Sequence, residues 1–134
     1  MAKTYNVFIS HSWDHVADLK SLKRLLESRG YFKVEFQEKT PDNPIDSANS
    51  AYIKTVLRRC IENSDVVLAL AGVYASHSGW MVWELNEASS KGVPIIGIVP
   101  WGQERVSKIV QDKARAIVRW NTESIVDAIR LYAK

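Results

Sequence analysis

Two rhythms of apolar and polar residues alternate along this chain. The run Tyr5-Asn-Val-Phe-Ile-Ser10 favours a strand, and Leu19, Leu22, Leu25 and Leu26 then recur at helical spacing. Asp14 suits the helix N-cap, and Gly30 stands where a left-handed residue would end that helix. Lys33-Val-Glu-Phe36 alternates polar and apolar, the pattern of a half-exposed edge strand. Gln37 to Asn49 carries Pro41, Pro44, Asp42, Asp46 and two asparagines, and reads as a loop long enough to be functional.

From Ser50 a helix runs to about Asn63, with Ile53, Val56, Leu57, Cys60 and Ile61 on one face. Val66 to Ala71 is wholly apolar, as expected of a central strand covered on both faces. After the small-residue stretch Gly72 to Gly79, with Ser78 suited to cap, Trp80 onwards predicts a helix closed by Lys91 and Gly92 ahead of Pro94. Pro94 to Val99 is a second buried strand, Gly102 to Gln111 a short helix, and Ala114 to Trp120 a last strand. Asn121-Thr-Glu-Ser opens a final amphipathic helix through Ile125, Ile129 and Tyr132.

Five strands alternating with helices predict an α/β fold with right-handed crossovers. The buried third and fourth strands favour a flavodoxin-like three-layer sandwich, a five-stranded parallel sheet of order 2-1-3-4-5 with helices on both faces. At 134 residues, 1–134 reads as a single domain with a full core.

Composition narrows the function classes. No apolar run reaches the roughly 20 residues that span a bilayer, and the start, Met1-Ala-Lys-Thr, lacks a signal-peptide cleavage site, so a cytoplasmic protein with no membrane partner is expected. The single cysteine agrees, and its helical spacing makes Cys60 a small core residue rather than a nucleophile. His15 and His77 lack partners at ligand spacing, so no metal is expected. A net charge of +3, spread over several helices, does not form the dense basic stripe that nucleic acid requires.

In a sheet of this order, ligands bind outside the carboxyl ends of the first and third strands. That rule brings Ser10, His11, Ser12 and Trp13 beside Gly72-Val-Tyr74 and the helix from Trp80. Ser10, His11 and Ser12 can bind a ligand there, or simply supply turn and cap chemistry. Trp80 and Glu84 lie one turn apart on one helix face. With Trp80 and Trp83 close by in the same helix, Glu84 can be a partly desolvated functional carboxylate. A surface glutamate near the positive end of its helix is the simpler account on the residues alone. A phosphoacceptor receiver would need an aspartate where Ala71-Gly-Val73 stands, a flavodoxin phosphate loop would need more than Ser10-His-Ser-Trp-Asp14, and no P-loop or G-x-G-x-x-G occurs.

Tyr5-Asn-Val-Phe-Ile-Ser-His-Ser-Trp13, Ser64-Asp-Val-Val-Leu-Ala-Leu70, Ser78-Gly-Trp-Met-Val-Trp-Glu-Leu85 and Lys91-Gly-Val-Pro-Ile-Ile-Gly-Ile98 follow one another in a known order. In this the chain resembles the TIR-like domains of prokaryotes, the branch that includes the Thoeris antiphage proteins. The resemblance implies that Glu84, the glutamate of a W-x-x-x-E stretch, is catalytic and acts on the nicotinamide N-glycosidic bond of NAD. The products would be nicotinamide and ADP-ribose or a cyclic ADP-ribose signal, with NAD as substrate and no cofactor. Ser10, His11, Ser12 and Trp80 would help bind the nucleotide. It also implies self-association or other TIR-like partners. The Gln37 to Asn49 loop lacks the R-D-x-x-P-G pattern of receptor TIR domains, so the adaptor surface is not implied. A non-catalytic TIR-like interaction module and a nucleoside deoxyribosyltransferase-like enzyme are the alternatives.

Overall fold

The computed structural model describes residues 4–10, 16–37, 50–71, 79–99 and 106–133. Strands β1 (Thr4–Ser10), β2 (Lys33–Phe36), β3 (Val66–Leu70), β4 (Ile95–Val99) and β5 (Ala116–Arg119) alternate with helices α1 (Val16–Glu27), α2 (Ser50–Glu62), α3 (Gly79–Ser90), α4 (Lys108–Lys113) and α5 (Thr122–Tyr132). The strands form one all-parallel sheet in the order β2-β1-β3-β4-β5, the flavodoxin-like arrangement.

Residue chemistry sorts the strands. Every residue of β3 and β4 is buried, as their continuous apolar runs predict, so these two are central. β2 and β5 alternate between more and less exposed positions and form the two edges. Successive strand residues point to opposite faces. Val66, Leu68, Leu70, Ile96 and Ile98 therefore pack with Leu19, Leu22 and Leu26 of α1 and Ile125, Val126 and Ile129 of α5. Phe8, Val67, Ala69, Ala71 and Ile95 face the other way, onto Leu57, Cys60 and Ile61 of α2, Met81, Leu85 and Ala88 of α3, and Val110 of α4. Each fully buried Leu or Ile stabilises the fold by roughly 1.5–3 kcal/mol. Cys60 lies inside this second layer as one more small apolar side chain.

Polar contacts set the strand register. The backbone N–H of Asp65 donates to Asn6 O at 2.7 Å, and the Asp65 carboxylate accepts from Asn6 N–H at 2.9 Å. This pair pins the start of β3 against β1, so Ser10 at the carboxyl end of β1 lies opposite Ala69.

Helix ends show where sequence and structure part. α3 stops as predicted: Gly92 is left-handed (φ 72), and Val93 N–H reaches back to Ala88 O at 2.9 Å. After α1 the left-handed residue is Tyr31 (φ 57), not Gly30. The Tyr31 carbonyl accepts from Arg130 at 3.0 Å, and the adjoining Phe32 is buried, so tertiary contacts fix this turn one residue beyond the glycine. α4 begins at Lys108, because Ser107 N–H is tied to Ala71 O at 3.0 Å and Ser107 is still extended, while the expected helix start at Gly102 falls outside the described residues. Ala114 closes α4, with its N–H on Val110 O at 2.8 Å, so β5 starts two residues later than the sequence predicts. The Asp14 cap and the Gln37 to Asn49 loop beyond Gln37 fall outside the described residues. Among the described residues, no helix is long and apolar enough to cross a membrane.

Candidate active site

Ser10 ends β1 and shares a sheet face with Phe8, so its side chain turns toward α3. On α3, Met81, Glu84, Leu85 and Ala88 are all buried, and their spacing makes them a single inward stripe. Glu84 is thus a carboxylate in an otherwise apolar row, only 4% exposed. Such a group is costly to bury without a hydrogen-bond partner. Ser10, itself fully buried, supplies one: its Oγ–H donates to Glu84 Oε1 at 2.7 Å.

The outer side of α3 holds the helix in this rotation. Lys54 and Arg58 of α2 lie over the Trp83 ring at 5.9 Å and 5.7 Å from its centroid. Arg58 also bridges to Glu87 at 3.3 Å, and Lys91 to Glu62 at 3.3 Å. Trp83 therefore braces α3 against α2, and its ring is engaged by those cations.

Of the five residues nominated from sequence, the structure brings Ser10 and Glu84 together. His11 and Ser12 fall outside the described residues, as do His15 and His77. Trp80 lies in the first turn of α3, one turn before Glu84, but its side chain is outside the described set. The Ser10 hydroxyl has a single proton, which is committed to Glu84, so toward a ligand it offers only its lone pairs. Among the described residues, no group of three or more His, Cys, Asp or Glu is placed to hold a metal ion.

Ser107 is a residue the sequence pattern did not single out. It is buried just before α4, held to Ala71 at the end of β3, and its Oγ has no hydrogen-bond partner. A serine in a polar stretch gives no sequence signal of burial.

Residues 8–105 match the family described as Thoeris protein ThsB, TIR-like domain. The chain belongs to this ThsB TIR-like family. The match spans well over half of the chain and includes both Ser10 and Glu84, while Ser107 lies just beyond its end. Two solved structures share the fold. A 2-deoxyribosyltransferase from Bacillus psychrosaccharolyticus is 16% identical over 91% of this chain and 90% of that one, with a TM-score of 0.63. The CMP N-glycosidase BcmB of Clostridium botulinum is 15% identical over 93% of this chain and 98% of that one, with a TM-score of 0.58. At such identities the likeness concerns the fold. No curated protein sequence matches this ThsB TIR-like chain.

Proposed function

We propose that this ThsB TIR-like domain cleaves NAD at the nicotinamide N-glycosidic bond in antiphage signalling, with Glu84 as the catalytic carboxylate. The observation that carries the reading is the buried hydrogen bond between Ser10 and Glu84 at the carboxyl end of β1. That end, where the strand order reverses between β1 and β3, is where open α/β sheets bind ligands. Family membership supports the substrate. The fold shared with two proteins named for nucleoside and nucleotide chemistry supports the bond class.

The chemistry asks little of the protein. Nicotinamide leaves as a neutral molecule from a cationic ring, so no strong general acid is needed. As the bond breaks, positive charge develops on the ribose carbon, as in glycoside hydrolysis. A carboxylate already fixed in a water-poor site stabilises that charge without reorganising. Ser10 is a positioning residue: it holds Oε1 and so limits how the carboxylate can turn. Trp80, His11 and Ser12 supply the surrounding nucleotide contacts. The products are nicotinamide and ADP-ribose or its cyclic form, and no cofactor enters the reaction.

A second reading keeps the carboxylate and changes the substrate to a nucleoside or nucleotide, and the likeness to the 2-deoxyribosyltransferase and the CMP N-glycosidase favours it over a non-catalytic module. Incubating the purified chain with NAD, alone and under crowding that promotes self-association, and measuring nicotinamide tests the proposal. Nicotinamide release supports it. Silence in both conditions, with base release from CMP or base exchange between deoxynucleosides, selects the second reading.

A further inference from the structure

The described residues contain four buried polar or charged side chains: Ser10, Ser64, Glu84 and Ser107. Three are satisfied. Ser10 donates to Glu84 at 2.7 Å, and Ser64 Oγ donates to Cys60 O at 2.7 Å. Ser107 Oγ alone among the described side chains is buried without a partner. Two observations make this more than an accident of rotamer. Ser107 occupies the N-cap position of α4 with an extended backbone, where a serine hydroxyl ordinarily accepts from the helix, yet it makes no such bond. Alanine would fill nearly the same space without stranding a hydroxyl away from water, so the fold alone gives no reason for serine.

Position supplies the reason. Ser107 N–H is bonded to Ala71 O at 3.0 Å, and Ala71 directly follows β3. Ala69, the β1 register partner of Ser10, lies two residues earlier. Ala69 and Ala71 face the same layer, the one that holds α3 and α4. From Ser10 to Ala71 is two residues along a strand and one strand across, about 7 Å and about 5 Å, and the Ser107 backbone is one hydrogen bond beyond Ala71. Ser107 therefore sits at the same carboxyl end of the sheet as Ser10, whose hydroxyl holds Glu84, and within the length of a nucleotide of it.

We propose that Ser107 is a ligand contact of this site, its hydroxyl hydrogen-bonding a polar edge of the bound nucleotide on the β3–β4 side. The proposal rests on the preceding section for the ligand class, a nucleotide, but not for the reaction. Glu84 and Ser107 would then grip the ligand from two elements, α3 and the segment ahead of α4.

The test compares wild-type protein and Ser107→Ala by calorimetric titration with ADP-ribose, NAD and CMP, alongside thermal melting. Loss of one neutral hydrogen bond to the ligand weakens binding about three- to tenfold. The expected result is that loss for the nucleotide the wild type binds, with a melting temperature equal to or above wild type. Unchanged affinity overturns the proposal, and so does a lowered melting temperature, which would make the hydroxyl structural. Failure of the wild type to bind any of the three also overturns it. If nucleotide binds but no nicotinamide is released, the NAD reaction falls while the Ser107 contact stands.

Discussion

Ser10 Oγ and Glu84 Oε1 are 74 residues apart in sequence and meet at 2.7 Å inside the fold. Each arrives by a different route. Ser10 is delivered by the register of β1 on β3, which the Asp65–Asn6 pair pins. Glu84 is delivered by the rotation of α3, which Leu85 and Ala88 set from within and Arg58 and Trp83 from without.

Ser10→Ala removes the donor while Glu84 stays buried. The expected cost is about 1–3 kcal/mol in denaturant unfolding, because a buried acceptor is left short of a partner. NAD cleavage should slow through kcat rather than KM, since Ser10 acts on the carboxylate and not on the whole nucleotide. With Glu84→Gln already in place the same change should cost less, giving a coupling of at least about 0.5 kcal/mol in a double-mutant cycle. Additive costs would show that the negative charge of Glu84 adds nothing to this contact.

Gly97 is required by close packing rather than by backbone conformation. A Cβ at this position of β4 would stand 2.6 Å from Val110 Cγ1 and 3.2 Å from Ile117 Cγ1. Valine is stiff at χ1 and cannot swing its methyl clear cheaply. Gly97→Ala should destabilise by about 1–3 kcal/mol. Adding Val110→Ala removes the nearer clash and should recover part of that loss, which chemical denaturation of the pair would show.

Arg29 and Glu123 tie the segment after α1 to α5 through two 2.9 Å contacts. The hydrogen bond and the charge of Arg29 hold the Glu123 carboxyl below its ordinary value of 4.5. A depressed carboxyl stabilises the fold above its unfolded pKa, and that contribution fades as pH falls through the folded value. Glu123→Gln should therefore lower stability slightly in neutral buffer and match wild type in acid well below 4.5. Because the glutamate is largely exposed, added salt should shrink the difference. A gap that persists in acid would assign the effect to something other than this bridge.

The legible part of this fold is the part governed by burial. Val66 to Leu70 and Ile95 to Val99 announce a central pair because no polar residue interrupts them, and the order of the sheet follows. Glu84 was legible as a position but not as an environment. Its burial depends on the angle at which α3 packs, which tertiary contacts decide. The partner it meets was nominated as a ligand contact, because sequence cannot say that two polar residues 74 apart satisfy each other. Gly30 misled for a related reason: local propensity favours glycine in a left-handed turn, but the Arg130 bond and the buried Phe32 place that turn at Tyr31. Ser107 carried no pattern at all, since an unpaired buried hydroxyl exists only in three dimensions.

Glu84→Gln keeps the size and shape of the side chain and can still accept from Ser10, but it cannot carry the negative charge that opposes a developing ribosyl cation. Nicotinamide release from NAD by wild type and Glu84→Gln, with both melting curves recorded, is the most direct test. The account predicts two equally folded proteins, the variant slower by at least about a hundredfold, the scale of losing one preorganised electrostatic contact. A folded Glu84→Gln protein that releases nicotinamide as fast as wild type would contradict it.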